Sequence, residues 1–419
     1  MSIGEIIIVG LGPSGVTLAA ALAKEGIEVS LIDGGTPTPT VEGYSRRTLS
    51  LMGEFGLQHC IASLTGPLAR NGAWGDRPAH GFEWLGDRAS LHGALRRDAL
   101  DAGVTILRKR WTAELTRQAK KDGAKIVIHA HGRRGQAIRG PLLLAMAAKA
   151  PSISRLPATT IGVWERGWYW IADDGTQAQI QVVGHPRDGN PGQWFRLLSE
   201  TCPEFQPLID GLRPNVLARA ATARYALAED PLTLVGDAAL AIDPLSGHGV
   251  YEALLSARMH VAAVRTVLRH GRIELVRRYL SDRRAETWAR TTGIAAQFYK
   301  EQEGRGLFWA QSALAYRSLV QASQPMPVRE ARIEQKAVLE NGYLCEASVV
   351  VTPELPRGAW KLAGVPLVEL HQLLSREQKI ERVIAMASQQ FGCSVNAAES
   401  ATSWLRASGL GASQSGLAS

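Results

Sequence analysis

The 419-residue chain holds only four cysteines, Cys60, Cys202, Cys345 and Cys393, widely separated and without a Cys-x-x-Cys pair. That usage argues against a disulfide-stapled scaffold and a thiolate zinc site, so no metal is expected, and it fits a reducing compartment. No uninterrupted apolar stretch approaches the length of a membrane-spanning helix, so no membrane association is expected. The apolar start lacks a basic lead-in and a small-residue cleavage site, which points to a cytoplasmic protein. Runs of five or six like charges are also missing, and the net charge of +8 is spread along the chain. A diffuse basic surface suits phosphate-bearing small molecules or an acidic partner protein. Nucleic acid is not expected as a partner, because its readers carry a clustered basic stripe or a recognition motif. What is present is ordinary globular composition, 45% hydrophobic and 21% charged, with length for two or three domains.

The first informative segment is Ile6-Ile7-Ile8-Val9, a β-branched run suited to a central strand buried on both faces. It feeds Gly10-Leu11-Gly12-Pro13-Ser14-Gly15 and a helical segment from Val16 to Lys24. Gly10 permits the tight turn and Gly12 admits a pyrophosphate close to the backbone. Gly15 lets the helix pack on the sheet, and the helix N-terminus, with Pro13 and Ser14, turns its amides to the phosphate. A second strand-like run, Ile27 to Ile32, ends in Asp33, placed 18 residues after Gly15 where a ribose-binding acid is expected. Together these predict a dinucleotide site, although the motif alone does not separate NAD from FAD.

Much further along, Leu232 to Val235 reads as another strand, followed by Gly236-Asp237-Ala238-Ala239 and Ile242-Asp243-Pro244-Leu245-Ser246-Gly247-His248-Gly249-Val250. A helical pattern then runs through Leu268. This second motif resembles the one with which FAD monooxygenases hold the ribityl chain and ring of the flavin. By that resemblance Gly236 and Asp237 bind the ribitol, and Pro244, Gly247, Gly249 and Val250 face the flavin. Arg88-x-x-Leu91-x-x-x-Leu95-x-x-x-Ala99-x-x-x-Gly103 is similar to the helix before the middle strand of these flavoproteins, which makes Arg88 a cofactor residue. Ala130-His131-Gly132-Arg133-Arg134 stands where the family has a second glycine motif, with His131 in place of the usual acid. His129 and His131 read as partly exposed strand-end residues ahead of catalytic ones.

Within the family, Gly167-Trp168-Tyr169-Trp170-Ile171 is similar to the aromatic strand of flavin-dependent halogenases and their relatives. Glu42, 14 residues before Gly56, matches the glutamate of another of their elements, and Phe298-Tyr299 with Phe308-Trp309 matches a third loosely. The resemblance spans roughly residues 4 to 310. Halogenases carry a lysine and a glutamate for halide chemistry. Here no lysine lies between Leu64 and Trp84, Ser246 takes the glutamate's position, and Ala172 breaks the aromatic signature. The resemblance therefore implies an oxidoreductase with FAD as cofactor, NADH, NADPH or a separate flavin reductase as electron source, and O2 as co-substrate. Its reaction is aromatic hydroxylation through a flavin C4a-hydroperoxide. Arg46 and Arg47 stand as cofactor and catalytic candidates, or else as exposed helix-start arginines. His248 is a candidate proton relay, unless its ring points away. Trp168 and Trp170 are candidate substrate contacts, with Trp74 and Trp84 behind them, and the alternative for each is core packing.

Beyond a Gln-, Ser- and Pro-rich boundary at 321–328, the strand-like Ala347 to Val351 precedes three amphipathic stretches. Leu367, Leu370 and Leu374 make one face, Ile380, Val383, Ile384, Ala387 and Phe391 a second, and Ala398, Ala401 and Leu405 a third. Ser375 with Gln378 and Asn396 with Glu399 read as N-terminal caps of the last two helices. The pattern resembles small winged-helix-like domains that hold leader peptides, and a helical cap is the alternative. The expected fold is α/β, with a Rossmann-like FAD-binding domain (1–155 and 219–320) and an inserted β-sheet substrate domain (156–218). A small C-terminal helical domain (329–411) and a tail (412–419) complete it. A peptide-binding module makes one branch of the family the best match, whose members hydroxylate a tryptophan side chain of a protein during quinone cofactor biogenesis. Small-molecule hydroxylation or halogenation in specialised metabolism is the alternative, and the Asp-Pro-Leu loop also occurs in flavin-dependent isoprenoid reductases. An aromatic content of 6% leaves room for the aliphatic tunnel such a reductase needs.

Overall fold

The computed structural model describes residues 4–35, 40–78, 80–133, 135–152, 158–212, 217–323 and 328–410. The chain divides into two compact units, one of residues 1–261 and 280–323, the other of 262–279 and 324–419.

In the first unit Ile6–Val9 is the inner strand of a four-stranded parallel sheet, in the order 105–108, 29–33, 6–9, 126–129. Ile6 pairs with Val29 on one side and Ile126 on the other, and all four residues of the strand are buried. Helix Pro13–Ala23 packs against this strand, and Ala119 of helix Ala113–Lys121 packs with Ile7 and Val9, so the uninterrupted apolar run is buried along its whole length. Strand 232–235 does not form. Asp230 caps a single 3-10 turn over Pro231–Thr233 by accepting the Leu232 amide at 3.0 Å, which leaves one parallel bridge, His129 to Leu234.

A nine-stranded sheet makes the second layer of this unit, in the order 217–220, 144–151, 177–184, 167–173, 158–164, 65–74, 81–87, 41–44, with 77–78 paired off the side of 65–74. Its strands come from before the 156–218 segment as well as from within it, and 217–220 crosses its end. Strand Gly167–Asp173 lies in the middle and alternates with period two. Tyr169 and Ile171 face a core with Trp164, Trp194, Phe195 and Phe205. Trp168 and Trp170 face a layer of Trp74, Trp288, Tyr299, Phe308, Trp309 and Tyr316. That aromatic layer comes mostly from helices Ile273–Glu301 and Leu307–Ser323.

In the second unit an antiparallel hairpin, Arg332–Glu340 with Tyr343–Val351, turns at Asn341 and Gly342, both with positive φ. A two-residue ribbon, 361–362 with 365–366, follows, then helices Leu367–Arg376, Ile380–Phe391 and Val395–Ala407. Their core holds Leu367, Leu370, Leu373, Val383, Ala387, Ala398, Ala401 and Leu405, close to the expected faces, with Leu373 in place of Leu374 as the fully buried residue. Both cap assignments are corrected. Ser375 lies inside its helix and donates to His371 O at 2.9 Å, so the next helix starts only after Lys379. Gly392, left-handed at φ +62°, ends that helix, and Ser394 caps the third by accepting the Ala397 amide at 3.2 Å. Asn396 sits within that helix. Residues 411–419 lie outside those described. No helix among the described residues is long and apolar enough to cross a membrane, and the four cysteines are unpaired.

Candidate active site

The first motif folds as a tight, open-sided turn for steric reasons. Gly10 adopts φ +126°, and its N–H donates to Ile32 O at 2.9 Å. A Cβ on Gly10 would stand 2.5 Å from Ala130 O, and one on Gly15 would stand 2.1 Å from Gly10 O. A Cβ on Gly12 would meet nothing within 4 Å, so that side of the turn is open. Gly12 precedes Pro13 at the first helical position, where the missing N–H costs nothing and the next amides, of Ser14 and Gly15, have no acceptor within the helix. Asp33 ends its strand nearly buried, with His92 Nε2 at 3.4 Å and Arg96 Nη1 at 3.8 Å from Oδ2.

The second motif meets the first. Gly236, at φ +60°, approaches so closely that a Cβ there would stand 2.3 Å from Ser14 Oγ. Asp237 follows, half exposed, and accepts from Arg133 Nε at 3.2 Å. The same guanidinium donates to the carbonyls of Ala220 and Thr222, each at 3.1 Å. Arg133 thus ties the loop after strand 126–129, the Asp237 turn and the large sheet together. His129 and His131, beside it, place their rings 5.1 Å apart, and burial holds His129 down to about 4, with His131 adding to the effect. Arg134 lies outside the described residues.

The loop from Pro244 to Gly247 makes a single 3-10 turn capped by Asp243, ends at Gly247 with φ +63°, and leads into helix Gly249–His270 with Val250 in its first turn. His248 is exposed. Its amide donates to Ser246 Oγ at 3.2 Å, and its ring lies edge-on to Tyr251 at 6.4 Å. Arg46 and Arg47 are exposed on the first turn of helix Arg46–Glu54, which Ser45 caps. Arg88 begins helix Arg88–Asp101 and pairs with Glu42 at 3.2 Å. Trp168 is 2% exposed within the aromatic layer, Trp74 stands 6.5 Å from it, and Trp170 donates to Glu83 Oε1 at 3.2 Å. Trp84 is half-buried against Gly66.

Two groupings were not anticipated. Arg219 joins Arg88 on Glu42, at 3.5 Å, while burial lowers its pKa against the pull of that carboxylate. Its strand, Leu-Ala-Arg-Ala, carries no local sign of this role. Asp243, itself buried, accepts from Leu245 N, Tyr299 and Tyr316. Burial raises the pKa of Asp243, and burial together with the Asp243 charge raises both tyrosines well above their ordinary value. Tyr299 was visible in the Phe298-Tyr299 match, whereas Tyr316 sits in an apolar helix without a motif.

An elongated anion with a phosphate-bearing middle fits this set: an open turn at Gly12, helix amides without an acceptor in the helix, carboxylates at Asp33 and Asp237 for hydroxyl groups, and a glycine loop beyond. The comparisons agree. Residues 4–133 match a family model described as an FAD binding domain. Geranylgeranyl diphosphate reductase of Rhodobacter capsulatus is 26% identical over 314 residues, covering 64% of this chain and 76% of that protein. Digeranylgeranylglycerophospholipid reductase 2 of Methanopyrus kandleri is 23% identical over 306 residues, covering 61% and 75%. The protein is an FAD-binding oxidoreductase of the flavoprotein monooxygenase group, with an α/β fold. Among solved structures, the peptidyl tryptophan dihydroxylase QhpG, essential for tryptophylquinone cofactor biogenesis, matches at a TM-score of 0.78 and 26% identity, over 97% of this chain and 99% of that one. The flavin-dependent halogenase CmlS matches at 0.70 and 17%, over 98% and 96%, a likeness of fold alone.

Proposed function

We propose that the protein hydroxylates an aromatic ring, a tryptophan side chain of a peptide or protein substrate, during the biogenesis of a quinone cofactor. The observation that carries this reading is the whole-length likeness to a peptidyl tryptophan dihydroxylase, second unit included. Because CmlS covers the same length, the second unit alone does not separate the two activities. The residues favour hydroxylation: no lysine lies between Leu64 and Trp84, and Ser246 stands at the loop where the resemblance puts the halogenases' glutamate.

FAD held here would supply two electrons, drawn from NADH, NADPH or a separate reductase, for the insertion of one oxygen atom of O2 into an electron-rich ring and the release of the other as water. The chain holds and shields. Gly10, Gly12, Pro13, Ser14 and Gly15 receive the pyrophosphate, Asp33 the ribose, and Asp237, set by Arg133, the ribitol. The loop from Pro244 to Val250 faces the ring system. Arg46, Arg88 and the catalytic candidate Arg47 supply positive charge on the neighbouring elements. Trp168 and Trp170 present an apolar aromatic face from which water is excluded, and His248 flanks the loop as the proton-transfer group. Indole is electron-rich enough to react without prior deprotonation, so no buried base is required. The second unit binds part of the polypeptide substrate.

The test is mass spectrometry after aerobic incubation with reductant, with free tryptophan and a tryptophan-containing precursor polypeptide side by side and bromide present. Oxygen gained by the polypeptide alone supports the proposal. Oxygen or bromine on the free amino acid replaces it with small-molecule chemistry. The two curated relatives favour a second reading, reduction of isoprenoid chains, and that activity would proceed without oxygen on a geranylgeranyl substrate.

A further inference from the structure

Asp243 opens the Pro244–Gly247 loop, yet a turn cap needs only one of its oxygens. Oδ1 accepts the Leu245 amide at 2.9 Å. Oδ2 accepts from both Tyr299, at 3.3 Å, and Tyr316. The carboxyl is 5% exposed and both tyrosines are wholly buried, their rings stacked 5.2 Å apart at 12°. Among the described residues no lysine or arginine forms an ion pair with it, and Arg133 acts on it only at longer range. A carboxyl removed from water needs its lost hydrogen bonds replaced, and here phenols from two different helices replace them. The Tyr299 ring also contacts Phe308 and Trp309, and both tyrosines belong to the packed layer that holds Trp168.

We propose that Tyr299 and Tyr316 are positioning residues, which clamp the flavin-facing loop to the aromatic layer through Asp243 and so fix the distance between cofactor and substrate ring. This rests on the reading above that the loop faces the flavin. With the clamp in place, Leu245 is held in the layer with Trp168, and the loop backbone has one resting position. Without a hydroxyl, Asp243 keeps its cap but loses one of its two anchors.

The experiment compares FAD-loaded wild type with Tyr299→Phe, Tyr316→Phe and Gly247→Ala. Each phenylalanine keeps the ring stack, so the chain folds and retains FAD. Removing one hydrogen bond to a buried carboxylate changes the balance between clamped and released loop by about 10- to 100-fold. The expected readouts are a shifted long-wavelength flavin absorption band, a shifted flavin midpoint potential, and more reducing equivalents released as hydrogen peroxide. Gly247→Ala strains the left-handed loop directly and must move the same band. If it moves the band and neither phenylalanine does, leaving only a lower melting temperature, the clamp is overturned. An unmoved band in Gly247→Ala overturns the premise that the loop faces the flavin, and the clamp with it.

Discussion

Replacing Gly12 by alanine separates a role in binding from a role in folding. Its backbone, at φ −100° and ψ 177°, is ordinary for any L-residue, and a Cβ there meets nothing within 4 Å. The apoprotein therefore gains about 0.4–1 kcal/mol from a stiffer unfolded chain and loses a few tenths to about 1 kcal/mol of cap preference, for a net effect near zero. FAD is another matter, because the new methyl fills the open side of the turn where the pyrophosphate must approach. Two charge-assisted contacts to helix amides, at about 1.5–3 kcal/mol each, are lost or lengthened. That predicts FAD binding weaker by roughly 10²- to 10⁴-fold, measured by flavin fluorescence titration of the apoprotein, with an unchanged apoprotein melting temperature. Gly15→Ala is the contrasting case. Its Cβ would lie 2.1 Å from Gly10 O and 3.1 Å from Ala130 Cβ, both rigidly placed, so the helix must retreat by about 1 Å and the apoprotein itself loses about 1–3 kcal/mol. An FAD affinity for Gly12→Ala within threefold of wild type would refute the cradle.

Arg133→Ala leaves the Ala220 and Thr222 carbonyls without that donor, so a stability loss of about 1–3 kcal/mol by denaturant titration is expected, together with weaker FAD binding. Arg133→Lys recovers only part of it, because an ammonium cannot reproduce the guanidinium fork. Ser394→Ala costs about 0.5–2 kcal/mol and Asn396→Ala much less, and equal losses would return the cap to Asn396. His260 is 2% exposed, and burial lowers it to about 4 from 6.5. Its folded pKa lies below the unfolded one, so the unfolded chain binds the extra proton between those values, and stability falls as pH drops through that window, by roughly 3 kcal/mol in total. His260→Gln should flatten urea midpoints between pH 6.5 and 4 relative to wild type, and parallel pH profiles would disprove the assignment.

The cradle was legible because its demands are local. A β-branched strand, three glycines and a terminal carboxylate each act within a few residues of one another, and the helix from Gly249 follows from the same logic. The hairpin of the second unit carried an equally local signal, Asn341-Gly342 between two apolar runs, yet only part of its second strand, from Ala347, was expected. Caps misled for a local reason as well. Ser375-x-x-Gln378 fits the pattern, but Leu373 and Leu374 keep the preceding helix running through Ser375, and the next helix begins only after Lys379. The large sheet was less readable because its neighbours are distant, with Thr65–Trp74 running beside Ala158–Trp164. Tyr316 and Arg219 show the limit most clearly. Each matters through a carboxylate supplied by a remote segment, so nothing near either residue marks it.

Fold alone does not choose among the chemistries of this flavoprotein group, since a halogenase and a peptidyl dihydroxylase both match the whole chain. The choice falls to side chains at the loop. Ser246 Oγ donates to Asp243 O at 3.2 Å and accepts the His248 amide at 3.2 Å, so its hydroxyl is spent closing the turn on itself. Asp243, the carboxylate beside it, is likewise turned inward, onto two tyrosines. The loop thus exposes backbone and no free carboxylate, and the strand 65–74 that follows Leu64 carries no lysine amine. Transfer of oxygen to a ring needs neither group. On the proposed reading it needs an aromatic face held at a fixed distance from the loop, and Trp168, Leu245, Tyr299 and Tyr316 lie in one packed cluster.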